Sequence, residues 1–135
     1  MTYDRLARSY IEKALLRLKV LDVYMELGGY SDVVREAQEA VELSLKGILR
    51  YYNIDPPRWH DVGDILLQNA DKIASLSLRE LKKMAKISKR LRKERELSFY
   101  GDVDFIPTEE YDEDFAQAVM DDAKFVIEAA KRIIS

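Results

Sequence analysis

Few side chains in this sequence could carry catalysis. His60 is the sole histidine and cysteine is absent, so a zinc site built on histidine or thiolate lacks ligands, and neither metal nor cofactor is expected. Di-iron sites in helical bundles need Glu-x-x-His pairs on facing helices, and none occurs. There is no glycine-rich phosphate loop followed by Lys and Ser or Thr, and no nucleophile elbow. What remains is cationic. Lys82, Lys83, Lys86, Lys89, Arg90, Arg92, Lys93 and Arg95 crowd one stretch, and Asp102, Asp104, Glu109, Glu110, Asp112, Glu113 and Asp114 follow it. Such neighbours can pair within the molecule, pair across a dimer, or leave the cations to a polyanion.

Arg95 is the cation with most to offer. On a helical wheel from Leu81, the apolar side carries Ser88 and Leu91, and Arg92, Arg95 and Phe99 fall on that same side. Lys82, Lys86, Lys89 and Lys93 fall on another. An arginine turned toward an apolar face needs a partner, because burying an unpaired charge is costly. Either Arg95 grips a phosphate in a cleft at a dimer seam, or it pairs with an acid of the 102–114 stretch. The lysine face is an ordinary solvated face, or a contact for nucleic acid or an acidic protein surface. Aromatics are not interleaved with those lysines, which weighs against stacking on RNA bases. In Tyr100-Gly101-Asp102, the tyrosine and aspartate can shape a site beside Arg95, or Gly101 simply stops a helix. His60 follows two prolines and reads first as a capping or packing residue, second as a site residue. Glu42 and Lys46 are spaced i, i+4, as a helix-surface pair would be.

The elements that must position these groups read as helices throughout. Tyr3, Leu6, Tyr10, Ala14, Leu18, Leu21 and Met25 form a first stripe, ended near Leu27 by Gly28-Gly29. Ser31 is expected to cap the next helix, with Val34, Ala37, Val41, Leu45, Ile48 and Tyr52 as its stripe. Pro56-Pro57 forces an extended link. Asp61 to Asn69 reads as a short helix. Ser77-Leu78-Arg79-Glu80 is a capping box that opens a helix running to about Phe99. Gly101 and Pro107 bound an acidic loop. Thr108 is expected to cap the last helix, with Phe115, Val119, Ala123, Val126, Ala130 and Ile133 facing inward. Four long helices and one short one, joined by short links, predict an all-α, up-and-down four-helix bundle.

The order of landmarks resembles the HEPN family (higher eukaryotes and prokaryotes nucleotide-binding domain). The resemblance is carried by Ala37-x-x-Ala40-Val41-Glu42-x-x-Leu45-Lys46, then Pro56-Pro57-x-x-His60-Asp61, then Arg95-Glu96-Leu97-Ser98-Phe99-Tyr100-Gly101-Asp102, and a last helix with Ala118, Ala123 and Ala130. It implies a bundle that dimerises, and a partner in the form of a small nucleotidyltransferase in toxin–antitoxin arrangements. Many members are metal-independent ribonucleases, with Arg, four to six residues, then His, the two copies meeting at the dimer interface. Arg95 matches the arginine, and Tyr100 stands where the histidine belongs. Histidine near its normal pKa both takes and gives a proton at neutral pH. Tyrosine, with a reference pKa of about 10, is a poor base. The resemblance also raises Glu42 and Lys46 as pocket residues, and with Arg92, Arg95, Asp102 and His60 they make up the candidate ligand-binding set. Three functions follow: a nucleotide- or RNA-binding interaction partner, a ribonuclease using Arg95 and Tyr100, or a non-catalytic dimeric protein-interaction domain.

The 135 residues suit one domain spanning 1–135, and the net charge is -3. No apolar run approaches the roughly 18 residues of a membrane span. The chain starts on the polar Thr2-Tyr3-Asp4-Arg5, not a signal segment, so a cytoplasmic location without membrane contact is expected. The eight tyrosines suit protein interfaces.

Overall fold

Local chemistry sets most of the helix ends. The computed structural model describes residues 2–56, 58 and 61–134. Helix α1 (Thr2–Glu26) ends where Gly28 takes φ +74° and the amides of Gly28 and Gly29 reach back to the carbonyls of Met25 and Tyr24. Helix α2 spans Tyr30–Tyr51 and the short α3 spans Val62–Gln68. The Asp61 carboxylate caps α3 by accepting from the Gly63 amide at 2.9 Å. Helix α4 (Leu78–Phe99) opens on the capping box expected of it: the Glu80 amide donates to Ser77 Oγ, and the Ser77 amide to Glu80 Oε1, each at 3.1 Å. A one-turn helix α5 (Pro107–Glu110) precedes α6 (Glu113–Ile133).

The four long helices form the expected all-α, up-and-down bundle. Arg17 of α1 meets Glu36 and Glu39 of α2, while Ala7 and Tyr10 lie against Gly47, so α1 and α2 are antiparallel. Arg92 of α4 reaches Glu42 of α2, and Arg35 reaches the Arg95 carbonyl, so α2 and α4 are antiparallel. Glu80–Arg132 and Arg90–Asp122 tie α4 to α6, again antiparallel. Helix α2 touches every other helix. Its Val33, Val34, Ala37, Val41, Leu45, Ile48 and Leu49 are fully buried in the main core, and each valine, leucine and isoleucine among them contributes about 1.5–3 kcal/mol of apolar burial.

Three sequence expectations need correction. The first stripe is rotated: Ala7, Ile11, Ala14 and Leu21 are buried, while Leu6, Tyr10, Leu18 and Met25 are only half-buried. Small Ala7 and the absent side chain of Gly47 let α1 and α2 approach closely, which turns that face of α1 inward. The side chain of Tyr3 lies outside the described residues, as do Pro57 and His60. Ser31 is no cap, because the Gly29 carbonyl already takes the first helical bond from Val33 at 3.0 Å. Thr108 sits inside α5, since Pro107 suits a first helical position. The cap of α6 is Asp112, which accepts from the Phe115 amide at 2.8 Å.

Candidate anion-binding site

A cleft of about 220 Å³ opens where α1, α2 and α4 meet, lined by Arg17, Gln38, Glu39, Glu42, Leu43, Lys46 and Arg95. Helical spacing builds its α2 wall, since Gln38, Glu42 and Lys46 are four residues apart on one side. Arg17 comes from α1 and Arg95 from the last turns of α4. The antiparallel packing of α2 and α4 brings Arg92, Arg95, Glu42 and Lys46 into one neighbourhood, although some fifty residues of sequence separate the pairs.

An ion-pair network surrounds the cleft. Arg17 Nε stands 3.4 Å from Glu36 and 3.6 Å from Glu39. Arg35 lies 3.8 Å from Glu39. The Glu42 carboxylate holds Lys46 at 3.5 Å and Arg92 at 3.6 Å. Arg35 also donates to the Arg95 carbonyl at 3.1 Å and covers the Phe99 ring at 4.8 Å, which pins the end of α4. Burial raises the pKa of the Glu36 carboxyl, and neighbouring Glu39 raises it further, while Arg17 and Arg35 pull it down. Partly exposed pairs of this kind contribute only about 0–1 kcal/mol each, so they position side chains more than they stabilise the fold.

Arg95 differs from the rest. The sequence wheel turns it toward the apolar face, yet it is exposed, because the bundle surface opens into the cleft at that height of α4. Among the described residues its guanidinium joins no ion pair, and none of the 102–114 acids reaches it. Counted around the cleft, Arg17, Arg35, Lys46, Arg92 and Arg95 are five cations against the three carboxylates of Glu36, Glu39 and Glu42. The excess is positive. Two acceptors at its base, Gln38 Oε1 and Glu42 Oε1, are buried with no donor among the described residues. Leaving such an acceptor unmet costs about 1–3 kcal/mol, which a donor entering the cleft would offset. The arrangement can hold an anion at Arg95 and meet an N–H or O–H group beneath it.

The other expected site residues lie elsewhere. Tyr100 ends α4 at 72% exposure, its ring edge-on to Phe99 at 4.7 Å, and it is not among the cleft-lining residues. Asp102 closes a tight turn, its amide donating to the Phe105 carbonyl at 2.9 Å and its carboxylate accepting from Val103 at 2.7 Å. Gly101 has φ +66°, and a Cβ there would stand 2.3 Å from the Phe105 carbonyl oxygen, so this turn demands glycine. Arg17, Arg35 and Gln38 escape the sequence reading. Gln38 leaves one signal: it stands four residues after Val34 and three before Val41, a polar residue on a core-facing stripe, and it is 2% exposed.

On the opposite side, Lys83, Lys86, Lys89, Arg90 and Lys93 line a wider groove of about 510 Å³ between α4 and α6. Arg90 pairs with Asp122, and Lys83 Nζ sits 4.0 Å over the Phe125 ring. Among the described residues, the 102–114 acids pair with none of these cations, so the basic and acidic runs do not neutralise each other within the molecule.

No described helix is long and apolar enough to cross a membrane. No curated protein matches the chain. The HEPN domain family matches residues 7–133. With that match over almost its whole length, on an all-α bundle whose second and fourth helices frame a cationic cleft, this chain belongs to the HEPN family.

Proposed function

We propose that the chain is a HEPN-type binding domain that acts as a homodimer in the cytoplasm and holds a nucleotide, or the backbone of RNA, at the Arg95 cleft. One observation carries this reading: an exposed arginine with no ion-pair partner among the described residues, in a cleft whose cations, Arg95 included, outnumber its carboxylates. Guanidinium suits phosphate, because its rigid fork of donors matches the phosphate oxygens. Gln38 and Glu42 offer acceptors to a base or a sugar hydroxyl. A small nucleotidyltransferase, in a toxin–antitoxin-like pair, is the proposed protein partner.

Binding of a fluorescent nucleoside triphosphate and of a short labelled RNA, followed by anisotropy at low salt, tests the reading. Arg95→Ala is expected to weaken binding by roughly tenfold to a hundredfold, the worth of one hydrogen-bonded charge. Unchanged affinity in that variant would remove Arg95 from the site. Incubation of the same RNA in EDTA separates binding from catalysis. No cleavage is expected, because Tyr100 stands off the cleft. Cleavage that disappears in Arg95→Ala would establish the ribonuclease reading instead, and absence of all binding would leave a protein-interaction domain.

A further inference from the structure

Helix α1 is apolar on two sides. Its inner face is spent on the core. Diametrically opposite, Leu16, Val20, Val23 and Leu27 follow one another at spacings of four, three and four residues, the rhythm of a coiled-coil seam. Leu16 is 61% exposed, Val23 53% and Leu27 78%, and nothing in the described chain covers them. These are large apolar groups, and a soluble helix usually gives its outward face to polar residues.

The charges beside the stripe identify what would cover it. In heptad terms Leu16 and Val23 take the d positions and Val20 and Leu27 the a positions, so Lys19 and Glu26 take the g positions that flank the seam. Neither Lys19 nor Glu26 forms an ion pair within the chain among the described residues. Lay a second α1 antiparallel on the first, with the two-fold axis midway between Val20 and Val23. Leu16 then meets Leu27 of the other copy, and Val20 meets Val23. The same operation sets Lys19 against Glu26 twice, once on each side of the axis. A parallel pairing would offer Lys19 no carboxylate.

We infer that the outer face of α1 is a homodimer surface, with a second copy of this chain packed antiparallel through Leu16, Val20, Val23 and Leu27 and registered by two Lys19–Glu26 pairs. This deepens the homodimeric part of the function proposed above and rests on it. The Arg95 cleft gives this role less support, since none of the exposed large apolar side chains among the described residues lines it. The seam has only four layers, so the dimer is a weak one, with a Kd of roughly micromolar order.

Analytical ultracentrifugation of the full chain across a concentration series tests the inference. Wild type is expected to dimerise. Lys19→Glu and Glu26→Lys each place like charges across the axis and are expected to weaken dimerisation by roughly tenfold or more. The double variant carrying both changes restores opposite charges and is expected to recover the wild-type Kd. Leu16→Glu is expected to give monomer with an unchanged helical circular dichroism spectrum. A wild-type protein that stays monomeric throughout would overturn both this surface and the homodimeric reading. A dimer indifferent to all four variants, or one lost only through a cleft change such as Leu43→Glu, would overturn the α1 surface and leave the homodimeric reading standing.

Discussion

Tyr111 sits between α4 and the start of α6, its ring against Phe105 and Phe115 at 5.7 and 5.6 Å and its hydroxyl donating to Glu94 Oε2 at 2.5 Å. Burial raises its pKa well above the ordinary 10.0, and the hydrogen bond to the Glu94 carboxylate raises it further. The folded protein therefore keeps a proton that the unfolded chain releases once pH passes about 10, so this residue's contribution to stability falls as pH rises beyond that point. Tyr111→Phe should lower stability at pH 7 by about 1–3 kcal/mol, because Glu94 loses its donor, and should remove that alkaline dependence. Urea denaturation at pH 7 and again near pH 10.5 reads both effects. The same scale shows how much of the site could be read from sequence. The spacing of Glu42 and Lys46 sets them on one side of α2, and the basic run contains Arg92 and Arg95. That these four meet, and that Arg17 and Arg35 join them, depends on which helices pack together. Periodicity carries no such information. A wheel turns Arg95 toward the apolar face because it assumes that the neighbouring helix covers the whole length of α4, and its exposure shows that the cover stops short.

At the level of elements, the helix ends governed by a side chain were the legible ones. Asp61, the Ser77–Glu80 pair and Gly28 each satisfy a specific orphan backbone group or backbone angle, and each stands where the chemistry demands. The ends set by neighbours were not. Helix α5 exists because Pro107 fits a first helical turn and the chain must then bend to deliver Tyr111 to its partners, a requirement visible only in three dimensions. One contact between elements is especially close. A Cβ on Gly63 would stand 2.9 Å from Ala85 Cα and 3.1 Å from its carbonyl oxygen, so α3 lies backbone to backbone on α4. Gly63→Ala gains up to about 1 kcal/mol in helix propensity. It must also push two backbones apart, which costs about 1–3 kcal/mol. The net change should lower the melting temperature, in contrast to most glycine-to-alanine changes within helices. Differential scanning calorimetry of the variant decides which effect wins.

Across the whole molecule, stability converges on α2. Leu45 is fully buried at its middle, in the core that all four long helices share. Leu45→Ala should cost about 2–5 kcal/mol and shift guanidinium unfolding as one cooperative transition. Separate melting of α1 or α6 would argue against a shared core. The bundle itself was legible because long amphipathic helices joined by short links have few ways to bury their stripes. Which two faces meet at each crossing was not, as the rotated stripe of α1 shows.

The helix at the centre of that core is also one wall of the cleft: Gln38, Glu42 and Lys46 run beside the residues that hold the bundle together. A binding surface carried on a loop can be lost while the rest of a protein stands. Here nothing intermediate is offered. Heat or denaturant that spares the bundle also spares the α2 wall of the cleft, so binding capacity should decline along the unfolding curve and not ahead of it, and a titration of binding-competent molecules would count the folded ones.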